Sequence, residues 1–299
     1  MTIRYIRPIS RAAHLARRIA GFSVLTLVLA WLLYRFGPLQ TPNFIALVLI
    51  SALLAALSVP LALWGLWRLW QIGAEGGVAA LKALLLALLP LAVAAFGVLR
   101  YENHPRLYEL ATDPEDPPAW IEEPVAAQRW MPRPPSDLEG NAAVQRAAYP
   151  TLTVRRYDGA LDRVYQAVRK VAADRRIAVV LTRGADHARP DFQPPETVQP
   201  AGPGLPKMPI PLPRPDPPPP SAPDDGEPAG MVRLQAVARH RLLGFPFDLV
   251  IRLREEDESV LVDLRIESRY GPHDLGFAAA IANDYLTALD AELLGIAQN

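Results

Sequence analysis

Three long apolar runs occupy the first hundred residues, and nothing comparable follows. They extend from Ile19 to Phe36, from Phe44 to Trp67 and from Val78 to Leu99. Each reaches the roughly 18 to 20 apolar residues that a helix needs to cross the hydrocarbon core of a bilayer. The pattern predicts a three-span membrane anchor over residues 1–99 and a water-exposed domain over residues 100–299. Pro60 falls inside the second run, where a proline kinks a helix or turns it back as a re-entrant segment, which would reverse the domain's side; a full crossing is the expected reading.

After Leu99 the texture changes. Residues 100–150 are rich in Pro, Asp, Glu and Ala without clear periodicity and read as an irregular stretch lying over a core. Its clearest turn cluster is Thr112 to Pro118, where prolines fix φ and Asp113 and Asp116 are placed to bond nearby backbone N–H groups. Thr151 to Tyr157 alternates as a short strand. Residues 159–174 carry Leu161, Val164, Tyr165, Val168, Val171 and Ala172 at helical spacing, with Asp158 or Gly159 to start the helix. Strands are expected at Ile177–Thr182, Met231–Arg241, Phe247–Arg254 and Ser259–Arg269.

In the third of these, Phe247, Leu249, Ile251 and Leu253 alternate with Asp248, Val250, Arg252 and Arg254. In the fourth, Val260, Val262, Leu264 and Ile266 alternate with Leu261, Asp263, Arg265 and Glu267. One sheet face is therefore apolar and the other mostly charged. The two strands join through the acidic tip Glu255 to Glu258, and a closing helix runs from Asp274, its expected N-cap, to Leu294. The element order predicts an α+β domain, an antiparallel sheet covered on one face by two helices in a helix-grip-like arrangement.

Residues 190–229 interrupt this plan. They hold 16 of the chain's 32 prolines and almost no aromatic side chains. Such a segment has too little apolar surface to fold and is expected to be an extended, disordered insertion between two strands.

Charge divides along the same line. Residues 1–99 carry eight basic residues and one acid, Glu75, whereas residues 100–299 carry 23 bases and 30 acids, so a neutral total hides +7 on the anchor and −7 on the domain. An acidic domain with its arginines interspersed among carboxylates has no basic stripe to follow a phosphate backbone, which argues against nucleic acid as a partner. The chain has no cysteine, which removes disulfides, thiolate nucleophiles and sulfur-ligated zinc. Arg4, Arg7, Arg11, Arg17 and Arg18 precede the first span without an acid among them. That bias holds the amino terminus in the cytoplasm, and three crossings then put the domain on the periplasmic side of a cell membrane. Lys82 lies close enough to a span end to snorkel.

Several separated motifs resemble one family. Glu109 to Trp120 and Gln145 to Pro150, followed by Gly244-Phe245, Asp248, Ile251-Arg252, Val262 to Arg265, Ser268-Arg269, Gly271 and Asp274 to Gly276, look like the bacterial domain of unknown function 1499 family. The resemblance covers nearly all of residues 105–295 except the proline-rich stretch, and it implies amino-terminal spans without implying an activity. Family members usually show a His-Asp pair where this chain has Tyr108 and Glu109, and an Asn and an Arg where it has Ala278 and Ala280. A metal or acid-base role resting on that histidine does not transfer, and His104 alone is no substitute.

The remaining candidate chemistry is a charged constellation of Asp113, Asp116, Asp248, Arg252, Asp263, Arg265, Ser268, Arg269 and Asp274. Two uses compete. The charges either pair across the sheet and lock the first loop onto it, or Arg252, Arg265 and Arg269 hold a small anionic ligand. No cofactor or metal is expected. The leading functional expectation is a non-catalytic binding or structural module of the cell envelope, in contact with the lipid bilayer and with an envelope protein or a small anion. A small-molecule or lipid-binding module with an apolar cavity is the second, and a hydrolase using carboxylates such as Asp113 and Asp116 is the third.

Overall fold

Small residues decide how the amino-terminal helices pack. In a computed structural model, which describes residues 9–127, 130–188 and 226–294, the three apolar runs form α1 (Arg11–Phe36), α2 (Thr41–Ile72) and α3 (Gly77–Asn103). All three are long and apolar enough to cross a membrane. Their buried faces are stripes of Ala16 and Ala20 on α1, Ser51, Ala55 and Ala62 on α2, and Ala79, Ala83 and Ala87 on α3. Leu29, Leu53, Leu57, Leu85 and Leu88 point outward instead. This inverts the pattern of a water-soluble bundle and suits lipid, where close backbone approach holds helices together. Ser23 Oγ donates to the Ser51 carbonyl at 2.8 Å and Ser51 Oγ returns a bond to the Ser23 carbonyl at 2.9 Å, which satisfies both hydroxyls inside the bundle. The helix α2 continues through Pro60, so the second run is not broken into a re-entrant segment. At 32 residues it is about 48 Å long and overruns the hydrocarbon core at its ends.

The domain contains β1 (Glu109–Ala111), α4 (Leu138–Ala148), β2 (Arg155–Asp158), α5 (Leu161–Asp174), β3 (Ala178–Arg183), β4 (Met231–Arg239), β5 (Pro246–Glu256), β6 (Ser259–Ser268) and α6 (Phe277–Leu293). The strands form one antiparallel sheet in the order β1-β6-β5-β4-β3, and β2 pairs with β6 on the same side as β1. The helices α5 and α6 lie side by side on the apolar face. Val164, Val168 and Val171 of α5 and Tyr285, Leu286 and Leu289 of α6 share one core with Leu249, Ile251, Val262 and Leu264. Tyr285 is fully buried, and its hydroxyl donates to the Val168 carbonyl at 3.2 Å.

Several boundaries differ from the sequence reading. Residues 100–150 are not wholly irregular, because they contain β1 and α4. The first is too short to show a period, and the buried face of the second consists only of Leu138, Ala142 and Gln145, too weak a stripe to stand out. The helix α5 starts after Ala160 without a side-chain cap. The helix α6 starts two to three residues later than expected. Leu275 and Gly276 both take left-handed φ values, 58° and 71°, which no helix can include. Asp274 still caps from a distance, accepting the N–H groups of Gly276 and Ala278, each at 2.8 Å. The proline-rich insertion lies outside the described residues except for its last four. There Glu227 is packed rather than extended into solvent, buried and paired with Arg233 at 2.6 Å.

The domain is seated on the anchor. In the loop between β4 and β5, the Leu242 carbonyl accepts Trp31 Nε1 at 3.4 Å and the Gly244 carbonyl accepts the Tyr34 hydroxyl at 3.5 Å. Phe245 fits among Tyr34, Phe44 and Phe277, with ring centroids 5.9 to 6.1 Å away. On the other side of the seam, Arg100 of α3 donates to the Leu275 carbonyl at 2.9 Å and lies over the Phe277 ring.

Candidate functional site

Alternation along β5 and β6 puts Asp248, Arg252, Asp263 and Arg265 on the sheet face opposite the helices, together with Arg254 and Glu267. The register sets Arg252 directly opposite Asp263. It also sets Glu109, Glu267 and Asp248 in one row across β1, β6 and β5, an arrangement of like charges that is unfavourable unless each is neutralised.

Each is. Arg269 grips Asp248 through two parallel bonds of 2.7 Å. Arg265 holds Glu109 through Nε at 2.6 Å and Nη2 at 2.5 Å, and Ser136 Oγ donates to the other Glu109 oxygen at 2.5 Å. Arg133 pairs with Glu267. The two-oxygen fork of Arg269 on Asp248 is the stronger class of ion pair.

One strand pair away lies a second cluster. Asp263 Oδ2 receives Arg252 Nε at 2.9 Å, Arg252 Nη2 at 2.8 Å and Arg254 Nη2 at 3.1 Å. Asp116 meets the same two arginines from the opposite side, at 3.0 Å and 3.1 Å. It is brought there by a turn in which Asp113 Oδ1 accepts the N–H groups of Glu115 and Asp116. Among the described residues no donor reaches Asp263 Oδ1. Asp263 is wholly buried, and burial pushes its carboxyl up from the ordinary range against the pull of Arg252 and Arg254; nearby Asp113 adds to the rise. Glu267 is raised likewise, by burial first, against the pull of Arg133.

The segment after β1 is zipped onto this face. The Asp116 and Ala119 carbonyls accept Arg252 Nη2 at 2.7 Å and Arg233 Nη1 at 2.9 Å. The Arg265 guanidinium lies 5.0 Å from the centre of the Trp120 ring. Gln235 Oε1 takes the N–H groups of Ile121 and Glu122, and its Nε2 donates to the Glu122 carbonyl. The result is a charged layer partly roofed by backbone, with Asp263, Arg252, Glu109 and Glu267 buried beneath it and Asp116 at its exposed rim.

The nine residues singled out from sequence therefore separate. Asp116, Arg252 and Asp263 form one cluster, while Asp248 with Arg269 and Arg265 with Glu109 form adjacent pairs. Asp113 shapes the turn, Ser268 Oγ donates locally to the Tyr270 carbonyl, and Asp274 caps α6 away from the charged face. Burial raises the Asp274 carboxyl despite the two amides that it accepts. Sequence reasoning missed Glu109, Arg133, Arg254 and Glu267 as members. Alternation alone marks Arg254 and Glu267; Arg133 comes from an aperiodic stretch and leaves no such signal. His104 is packed at the end of α3, its Nδ1 donating to the Arg100 carbonyl at 3.0 Å and its ring against Gly276.

A cleft of about 440 Å³ opens at the Glu109 end of the carboxylate row, beside Tyr108, Ser136, Asp137 and Asn141. The Tyr108 hydroxyl, pushed up to about 12 chiefly by burial, donates to the Pro134 carbonyl at 3.0 Å. A family model described as protein of unknown function (DUF1499) matches residues 109–289. No curated protein and no solved structure matches the chain.

Proposed function

The chain belongs to the DUF1499 family over residues 109–289, and on that premise we propose that it is a multi-pass bacterial envelope protein whose domain is a non-catalytic structural or binding module. The domain is helix-grip-like and sits on the periplasmic side of the inner membrane. The observation that carries the reading is the paired charged layer: Glu109, Glu267, Asp248, Asp263 and Asp116 each have a guanidinium of their own or a shared one. Arginines so engaged serve to hold the first loop on the sheet.

Two further observations weigh against the rival readings. Tyr285, Phe247, Leu249 and Ile251 fill the layer between sheet and helices where an apolar ligand would have to lie. Asp113 is spent on turn amides and Asp116 on two arginines, so neither carboxylate is presented as an acid or a base. Orientation rests on the five amino-terminal arginines.

Reporter fusions after Asn299 test the orientation: phosphatase activity and dark fluorescent protein are expected, and cytoplasmic fluorescence overturns it. A double-mutant cycle tests the site. Arg252→Met is expected to cost up to about 3 kcal/mol because it removes two of the three guanidinium contacts to buried Asp263 and leaves only that of Arg254, while Arg252→Met with Asp263→Leu costs little more than either single change. Added phosphate leaves the melting temperature unchanged at moderate salt. Saturable stabilisation by phosphate that disappears in Arg252→Met overturns the structural reading in favour of an anion site.

A further inference from the structure

The loop that seats the domain on the anchor carries more apolar surface than the contact uses. Leu242 is 69% exposed, although its carbonyl is fixed by Trp31 of α1. Trp31 lies five residues before the end of α1 at Phe36. At 1.5 Å per residue, the Leu242 backbone is therefore held about 7 Å below the helix end, at a level of α1 where Val28, Leu29 and Leu32 are exposed. A side chain hung at that depth is level with the part of the anchor that faces lipid. The surrounding charge points the same way. Arg239, Arg241 and Arg35 are exposed around the loop, and none has a carboxylate partner among the described residues. Arg35 reaches the loop at Gly244, and Arg239 lies within electrostatic reach of the Tyr34 hydroxyl. The arginines of the charged sheet face, by contrast, are all paired.

We propose that the His240–Phe245 loop is a lipid-contact element, in which Leu242 enters the apolar edge of the leaflet on the domain's side while Arg35, Arg239 and Arg241 hold the phosphates of anionic phospholipids. The loop lies against α1 at Trp31 and Tyr34, and its charge complements that headgroup. An apolar tip flanked by arginines gains from both the buried side chain and the surface charge of the leaflet. The proposal rests on the reading of α1 to α3 as membrane spans.

The test uses the full chain in phosphatidylcholine nanodiscs with and without about 30% phosphatidylglycerol. Because the chain has no cysteine, Leu242→Cys and Leu29→Cys each give a single site for an environment-sensitive dye. Nitroxide lipids are expected to quench both dyes, and aqueous iodide neither. Arg239→Gln with Arg241→Gln is expected to weaken retention of phosphatidylglycerol, read by native mass spectrometry, by about 10- to 30-fold at roughly 1 kcal/mol per arginine. Iodide quenching at Leu242 with lipid quenching at Leu29 overturns the proposal and leaves the anchor intact, whereas failure of lipid quenching at Leu29 overturns the anchor itself. Protection of Leu242 from both quenchers means that a protein covers the loop, and unchanged phosphatidylglycerol retention in the double variant removes the arginines' role; either overturns the proposal.

Discussion

At the scale of single residues, buried ionisable groups of opposite sign set how the domain responds to acid. Asp263 and Glu267 are raised by burial, so between the ordinary carboxylate range and their raised values the folded state holds a proton that the unfolded state has lost. Their ionisation costs stability as pH rises through that window, and the cost is relieved as pH falls. His240 works the other way. Burial and then Arg100 hold its imidazole below the usual value, while Nδ1 accepts the Leu243 N–H at 3.2 Å and the ring packs on Phe277. Stability from His240 is present above about pH 6.5 and is lost as pH falls towards its lowered value. On acidification from about pH 7 to 5, hydrogen exchange is expected to rise at residues 240–245 in the wild type and not in His240→Asn. As pH falls through the window between its raised value and the ordinary carboxylate range, the stability of wild type relative to Asp263→Asn is expected to increase; a decrease would mean that pairing with Arg252 outweighs burial. Gly276 supplies a steric prediction. Its φ is left-handed, and a Cβ there would lie 1.9 Å from His104 Cδ2. Gly276→Ala is expected to lower stability by about 2 to 4 kcal/mol, and adding His104→Ala should recover all but about 1 kcal/mol of backbone strain, both measured by thermal unfolding.

Among elements, the edge of the sheet at β1 shows how a side chain substitutes for a strand. The outward N–H of Ala111 donates to Gln145 Oε1 at 3.2 Å, and Gln145 Nε2 donates to the Ala111 carbonyl at 2.6 Å. The amide of α4 thus completes both backbone groups of a buried edge residue and pins the helix to the sheet. Gln145→Met keeps the volume and strands both groups, so it is expected to cost about 2 to 4 kcal/mol. Faster exchange of the Ala111 amide, with α5 and α6 protected as before, is the measurement that separates this local loss from global unfolding. The row of Glu109, Glu267 and Asp248 makes the same point in charge. Three adjacent strands tolerate three carboxylates because Arg265 on β6, Arg269 just after it and Arg133 from the segment before α4 each meet one of them.

Across the whole molecule, charge and apolarity are sorted by distance from the anchor. The strand β5 leaves the seam at Pro246 and ends at Glu256, about 35 Å away at the rise of an extended strand. The acidic tip of Glu255, Glu256, Asp257 and Glu258 is therefore at the far end, while Arg35, Arg100, Arg239 and Arg241 ring the seam. Phe245 is the principal apolar peg of the seating, shared between Tyr34, Phe44 and Phe277. Phe245→Ala is expected to raise hydrogen exchange at residues 240–246 and 273–276 while the amides of β5 and β6 stay protected. Loss of protection throughout the sheet would show instead that the domain depends on its seat to fold.

The sequence by itself determined what solvent and backbone geometry dictate locally. Run length separated the three anchor helices from the domain, because crossing a bilayer requires a continuous apolar stretch. Alternation along β5 and β6 determined which side chains share the charged face and set Arg252 beside Asp263, because a strand has a period of two. Only the tertiary structure decided the use of that face. Arg133, Asp116 and Trp120 reach it from an aperiodic segment and Glu109 from a strand of three residues, so no period announces them. It likewise decided that Asp274 caps α6 across Leu275 and Gly276, and that the loop at Leu242 lies against α1. Pairings between residues far apart in the chain are fixed by how packed elements meet, and local periodicity carries no information about that meeting.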